Sequence, residues 1–293
     1  MNYRHAYHAG NFADVLKHII LTLLIEHQKK KEAPFRVIDT HAGIGFYDLT
    51  AIEPLKTNEW SGGIGRLFDK NLSFQNEVLL EPYLKVIKDE NLQGDLKFYP
   101  GSPVIARRLL RPQDRLIVNE LHPEDYAQLA RRFPRDRHVK VLNLDGWIAL
   151  KALLPPKEKR GIILIDPPFE KSGEFERMVV GLKEGLERFS TGTFFLWYPI
   201  KDLKARDLFH SAIATLRLKN IVVAEFYVGP ILSDDQLHGA GYLIINPPFT
   251  LASQLQTLLP ELCRLLSVDN MASFELDTHL PLKKAHSRYS SHF

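Results

Sequence analysis

The sequence predicts an α/β fold: a doubly wound sheet of seven strands, the last antiparallel, with a small helical segment inserted after the first strand. Three observations carry this. From about residue 98 to residue 227, short apolar runs alternate with stretches of helical periodicity, the pattern of a sheet covered by crossover helices. The run at 162–165 is all Ile and Leu without polar alternation, which suits a parallel strand buried on both faces. Only a turn-rich stretch at 229–241 joins the last two runs, too short for a crossover helix, so those two runs pair antiparallel.

The elements follow in order. Residues 3–14 crowd aromatics, imidazoles and polar groups where chain ends are ordinarily bland, so something orders them. Asn11 or Asp14 caps a helix over 15–28, in which Leu16, Ile19, Ile20, Leu23 and Leu24 recur at helical spacing. Lys17 and His18 lie near its start. His5 and His8 lack a third ligand at a defined spacing, so no metal site is expected, and His18 by itself reads as a structural histidine. A strand at 35–39 runs into the glycine turn Thr40-His41-Ala42-Gly43-Ile44-Gly45. This is not Gly-x-Gly-x-x-Gly, and no acid follows about 20 residues later, which disfavours a dinucleotide oxidoreductase.

Residues 49–97 break the alternation with a Gly-Gly turn at 62 and 63 and helical spacing of Leu79, Leu80, Tyr83, Leu84 and Ile87. An insertion there lies beside the ligand end of the sheet and is a candidate substrate wall. Next, Ser102 caps a helix through Leu110, with Pro103 in its first turn. The strand at 115–118 leads to Glu120, where a carboxylate typically holds ribose hydroxyls. After a helix at 124–132, the strand at 139–144 ends in Asp145-Gly146, where an acid can face an adenine edge. Helix capping is an equal alternative for both acids. Beyond the strand at 161–165 come a helix at 174–188, a strand at 193–198, a helix at 201–216, and strands at 221–227 and 241–245.

The chemistry centres on Asp166-Pro167-Pro168-Phe169, where the buried run stops. The prolines cannot donate to a ladder and bias the residues before them away from helix, so Asp166 and Phe169 are held at the strand's carboxyl end. Such a tip suits methylation of an aromatic exocyclic amine. The Asp166 carboxylate and the Pro167 carbonyl accept the amine's protons, and Phe169 offers a flat face for a purine. Orientation and electrostatics do most of that work. The plain alternative is a strand stop without further purpose. Asn246-Pro247-Pro248-Phe249 repeats the pattern, but an antiparallel last strand points it away from the shared ligand end.

Composition narrows the class. The 293 residues suffice for a sizeable core, and 45% hydrophobic content is ordinary for a globular protein. No apolar run reaches membrane-spanning length and the first residues lack a secretory pattern, so the cytoplasm is the expected compartment. Cys263, the only cysteine, excludes internal disulfides and cysteine-built zinc sites. The net charge is only +3, but basic residues cluster: Arg107, Arg108, Arg111 and Arg115; Arg131, Arg132, Arg135, Arg137, His138 and Lys140; and Lys283, Lys284 and Arg288. Such groups suit phosphate contacts, although a solvated helix face explains any single cluster as well.

Taken together, six stretches resemble the bacterial 23S ribosomal RNA adenine-N6 methyltransferase J family, which is Rossmann-like and S-adenosylmethionine-dependent. They are residues 3–18 (YRHAYHAGNFADVLKH), 39–45 (DTHAGIG), 99–103 (YPGSP), 119–123 (NELHP), 160–169 (RGIILIDPPF) and 196–199 (LWYP). The resemblance implies that His18, His41, Ser102, Glu120, Asp145, Gly146 and Asp166 line the cofactor site and that Asp166 also serves as the catalytic acceptor. It implies that Tyr3 and Lys17 meet the RNA and that the helical insertion is a small subdomain. Phe169 departs from the tyrosine frequent in this family; stacking survives that change, while any role of a hydroxyl does not. The expectation is therefore methyl transfer from S-adenosylmethionine, released as S-adenosylhomocysteine, to N6 of one adenine in 23S rRNA, by a monomer without metal or membrane. The same chemistry on DNA or another RNA, and a non-catalytic RNA-binding protein on this scaffold, are the alternatives. The boundaries read as 1–48 for the N-terminal motif with the first helix and strand, 49–97 for the insertion, 98–277 for the rest of the sheet domain, and 278–293 for a tail.

Overall fold

The computed structural model describes residues 5–170, 172–229, 237–268 and 271–280. The predicted Tyr3 contact and the tail from residue 281 onward lie outside them. Alternation along two short strands sets the architecture. In β1 (Arg36–Asp39) Val37 points into one apolar core and Ile38 into the other; in β6 (Gly161–Ile165) Ile162 and Leu164 face the first core, Ile163 and Ile165 the second. Both faces of the sheet are therefore covered, as the unbroken apolar runs require. The first core is closed by α1 (Phe12–Lys29), α5 (Phe74–Asp89), α6 (Ser102–Leu109) and α11 (Leu251–Leu266). The second is closed by α8 (Gly146–Leu153), α9 (Glu174–Arg188) and α10 (Leu203–Ala214).

β1 pairs in parallel with β4 (Arg115–Asn119) on one side and β6 on the other. β5 (Val139–Leu142) extends the sheet beyond β4, and β7 (Thr193–Ile200) extends it beyond β6, both in parallel. The chain thus leaves β1 in one direction and returns on the other side, which opens a crevice at the carboxyl ends of β1, β4 and β6. β9 (Gly239–Ile245) pairs antiparallel with β7 and with β8 (Ile221–Tyr227), as the short connection between the two predicts.

The sheet has eight strands rather than seven. β10 (Ser273–Asp277) pairs antiparallel with β8 and forms the edge. Five residues with only Phe274 and Leu276 half-buried give too weak an apolar alternation to stand out before the partner strand is known. Three further elements escaped the sequence: α8 starts at Gly146, and β2 (Phe46–Asp48) pairs with β3 (Phe98–Pro100) in a separate small sheet. The helical insertion comprises α2 (Ile52–Thr57), α3 (Glu59–Gly62), α4 (Ile64–Leu67) and α5. Its buried Ile64, Leu67, Leu80, Tyr83 and Ile87 belong to the same apolar core as α1 and α11, so it shares the main core. α7 (Pro123–Arg132) completes the helices. No described helix is long and apolar enough to cross a membrane.

Because β9 runs antiparallel, Ile245 lies opposite the start of β7, and Asn246 emerges at the amino ends of the parallel strands. Its role there is structural. With φ at 53° it takes the left-handed conformation that Asn tolerates, and its side-chain amide donates to the carbonyls of Ser190 and Gly192, both at 2.8 Å. Asn246→Ala is expected to lower the unfolding free energy by about 2–3 kcal/mol in urea titrations, through two lost hydrogen bonds and a strained φ. Asn246→Gly recovers the backbone part of that loss.

Candidate active site

Loops from four parallel strands converge on one cavity. It is lined by His18, His41, Ser102, Glu120, Asp145, Gly146, Asp166, Pro167 and Pro168, among others, so every predicted cofactor residue comes together here. Asn119, at the end of β4 and fully buried, organises the convergence. Its amide donates to the carbonyls of Thr40 at 3.0 Å and Leu144 at 2.9 Å, and its side-chain oxygen accepts from the Leu144 N–H at 3.0 Å. It thereby ties the turn carrying His41 to the turn carrying Asp145.

Each predicted side chain has a definite local role. Glu120 accepts the N–H groups of Gly43 at 2.9 Å and His122 at 2.8 Å, while burial raises its pKa. Asp145 caps α8 by accepting from the N–H groups of Trp147 and Ile148, and still lines the cavity. Gly146 is dictated by closeness: a Cβ there would stand 2.3 Å from Nε2 of His41. Ser102 opens α6 instead of capping it, the cap position being Gly101, and its hydroxyl donates to Asp39 at 2.6 Å. Asp39 also accepts the His41 N–H at 3.3 Å, so one buried carboxylate positions two cavity residues. His18, read from the residues as structural and from the resemblance as a cofactor contact, bonds the Tyr99 hydroxyl through Nδ1 at 2.7 Å, and its ring lines the cavity. Burial pushes its pKa down to about 3 and that of His41 down to about 4, so both rings are neutral near pH 7.

A second cavity shares a wall with the first. His5, Lys17, Asp166, Pro167 and Pro168 line both, and Phe12, Glu59, Phe169, Trp197, Pro199 and Lys201 belong to the second. Phe169 is held edge-to-face against Phe175 at 4.9 Å and Trp197 at 5.9 Å between ring centres. The insertion contributes Glu59 and Gly62 to this wall.

Between the cavities runs a buried chain of charges. Lys17 is 4% exposed, and its ammonium lies 2.7 Å from Asp14 and 2.5 Å from Asp166. Asp14 also accepts the Gly10 N–H and a bond from His5 at 2.9 Å. Burial alone would raise the Asp14 carboxyl and neutralise Lys17. His5 and Lys17 outweigh it at Asp14, holding that carboxyl well below its usual range, and Asp14 with Asp166 hold the ammonium above its own. Asp166 spends Oδ2 on Lys17, and Oδ1 meets no described donor. Lys17, expected on the RNA, is thus committed beneath the shared wall.

Sequence reasoning missed four participants. Asp14 was weighed only as a helix cap; Asn11 takes that duty, and Asp14 carries the charge chain. His5 and His8, dismissed as a metal pair, serve Asp14 and Glu59 as hydrogen-bond partners. Among the described residues no group of three His, Cys, Asp or Glu side chains could hold a metal ion. Trp197 came only as part of a motif, its place beside Phe169 following from the parallel pairing of β6 and β7. Four of the clustered arginines meet carboxylates: Arg107 pairs with Asp136, Arg108 and Arg132 with Glu90, and Arg111 with Asp114.

A doubly wound sheet with this acidic, glycine-lined crevice and a proline-stiffened Asp166 tip defines the class of protein as a methyltransferase. The chain belongs to the ribosomal RNA large subunit methyltransferase J family. The family model described as "Ribosomal RNA large subunit methyltransferase D, RlmJ" matches residues 32–276. The chain is 40% identical over 282 residues to ribosomal RNA large subunit methyltransferase J of Haemophilus influenzae, covering 96% of this chain and 99% of that one. It is 42% identical over 261 residues to the Escherichia coli K12 protein of the same name, covering 89% and 92%. A crystal structure of a Legionella pneumophila protein superposes with a TM-score of 0.85 at 36% identity, covering 92% of this chain and 98% of that one.

Two measurements probe the geometry. Asn119→Ala is expected to lower stability by about 2–3 kcal/mol and to weaken S-adenosylmethionine binding several-fold in calorimetry, since it releases the turns of His41 and Asp145 together. Burial raises the Asp39 carboxyl to about 7, so the folded state favours its protonated form. The resulting stability is complete below pH ~4 and lost as the pH rises through about 7. Asp39→Asn removes that loss. Its stability relative to the unchanged protein should therefore rise between pH 4 and 7, by on the order of 3–4 kcal/mol at most.

Proposed function

We propose that this chain transfers a methyl group from S-adenosylmethionine to N6 of an adenine in 23S ribosomal RNA. The observation that carries the reading is the single wall, Asp166 to Pro168, shared by a polar crevice and an aromatic-lined cavity. The crevice suits the cofactor by its donor set: Glu120 and Asp145 offer carboxylate oxygens to hydroxyl and amine protons at successive strand ends, and Ser102 and neutral His18 supply short polar contacts. When bound, the cofactor supplies an electrophilic methyl group on a sulfonium.

The chain's own residues orient the amine. In adenine the N6 lone pair is delocalised into the ring, so acceptors that draw its protons aside free it for attack. Asp166 presents Oδ1, its other oxygen being occupied by Lys17. The Pro167 carbonyl, which accepts no bond from a described residue, is a second acceptor. Both interactions strengthen as positive charge develops on nitrogen, so they favour the transition state over the bound substrate. Phe169, fixed by Phe175 and Trp197, gives the purine a flat wall. Glu59 and Gly62 of the insertion also line this cavity, and a base reaching it must leave its stack.

Support for ribosomal RNA as the substrate comes from the names carried by the H. influenzae and E. coli relatives. The test is methyl incorporation into protein-free 23S rRNA transcript, with duplex DNA in parallel and the product nucleoside identified by mass. N6-methyladenosine in the RNA is expected; labelled DNA alone, or another methylated nucleoside, overturns the reading. Asp166→Asn should lower kcat by about 10²–10³-fold, because one acceptor oxygen becomes a donor. Phe169→Tyr should retain activity, and Phe169→Ala should raise the KM for RNA.

A further inference from the structure

Resting on the reading above, we infer that Lys201 binds a backbone phosphate of the target nucleotide, as the outermost rung of a ladder formed by Trp197, Pro199 and Lys201. These residues are spaced by two along β7 and its exit, and all three line the second cavity, while the alternate Tyr198 and Ile200 are buried in the opposite core. β7 continues past the Asp166 tip: Leu196 is level with Ile165, and the strand remains paired to β9 as far as Ile200. Four residues of extended chain place the Lys201 backbone about 13 Å outward from Trp197. The order from the tip outward is an aromatic ring beside Phe169, a proline ring, and an ammonium. A nucleotide entering base-first has the matching order of purine, sugar and phosphate.

Charge accounting selects the same residue. RNA binding needs cations free to replace counterions. Among the described residues lining this cavity there are two lysines. Lys17 is buried between Asp14 and Asp166, while Lys201 is exposed and has no ion-pair partner among the described residues. No arginine of the basic clusters lines this cavity, and Arg107, Arg108, Arg111 and Arg132 are paired with Asp136, Glu90 and Asp114.

The experiment measures initial rates of methylation of protein-free 23S rRNA transcript at several salt concentrations, together with S-adenosylmethionine affinity by calorimetry. Lys201→Ala is expected to raise the KM for RNA several-fold at low salt and to flatten the slope of log affinity against log salt by ~0.7, one phosphate contact. Lys201→Arg restores both, and cofactor affinity is the same in all. Lys183→Ala, which removes an exposed lysine on α9 outside the cavity, leaves KM and slope as they are. An unaltered KM and slope in Lys201→Ala, or an equal change in Lys183→Ala, overturns the inference while methylation by the unchanged protein still supports the function. Absence of RNA methylation by the unchanged protein overturns the function itself and this inference with it.

Discussion

The Lys17 ammonium held between Asp14 and Asp166 is the constraint on which the rest of the site depends. A carboxylate at a strand tip between two cavities is only partly solvated, and leaving such a charge unmatched is costly. Lys17 supplies the match from the first turns of α1, and Asp14, one turn earlier on the same helix, balances the surplus positive charge. The arrangement requires α1 to begin at its exact register. Asn11 caps it there, and the Tyr242 hydroxyl donates to the Ala13 carbonyl at 2.9 Å, fastening that turn to β9. The start of one helix and the end of one strand, 149 residues apart, are thus a single electrostatic unit.

Around this unit the two cavities divide the labour by chemistry. The crevice over β1, β4 and β5 is built from short polar side chains and close backbone, with Asn119 and Asp39 holding the parts in place. His18 and His41 are neutral by burial, so they can bond a ligand without adding positive charge to the crevice. The neighbouring cavity is walled by rings, among them Phe12, Phe169 and Trp197, which suit a flat heterocycle. Asp166 and the two prolines belong to both.

The two Pro-Pro-Phe tips show how topology assigns roles to nearly identical peptides. Both follow apolar strands, and both stop them. β6 is parallel to its neighbours and delivers Asp166 to the crevice, whereas antiparallel β9 delivers Asn246 to the far end of the sheet, where it bonds two carbonyls and leaves Phe249 exposed. The sequence shows this much, because the connection before the last strand is too short for a helix. The extra strand β10 was hidden for a related reason. An edge strand half in water needs little apolar content and leaves a faint trace.

By itself, the sequence determined the alternation of strands and helices, the termination of β6 by Pro167 and Pro168, and the residues gathered at the strand ends. These depend on local periodicity and on what proline can and cannot do. Tertiary structure alone decided which charges meet. Asp14 became an ion-pair partner and not a cap, Lys17 was committed to two carboxylates, four of the clustered arginines met acids of their own, and Lys201 was left without an ion-pair partner among the described residues at the second cavity. The reason is range: propensities act over a few residues, whereas a charge responds to whatever the folded chain brings within a few ångströms, however distant in sequence.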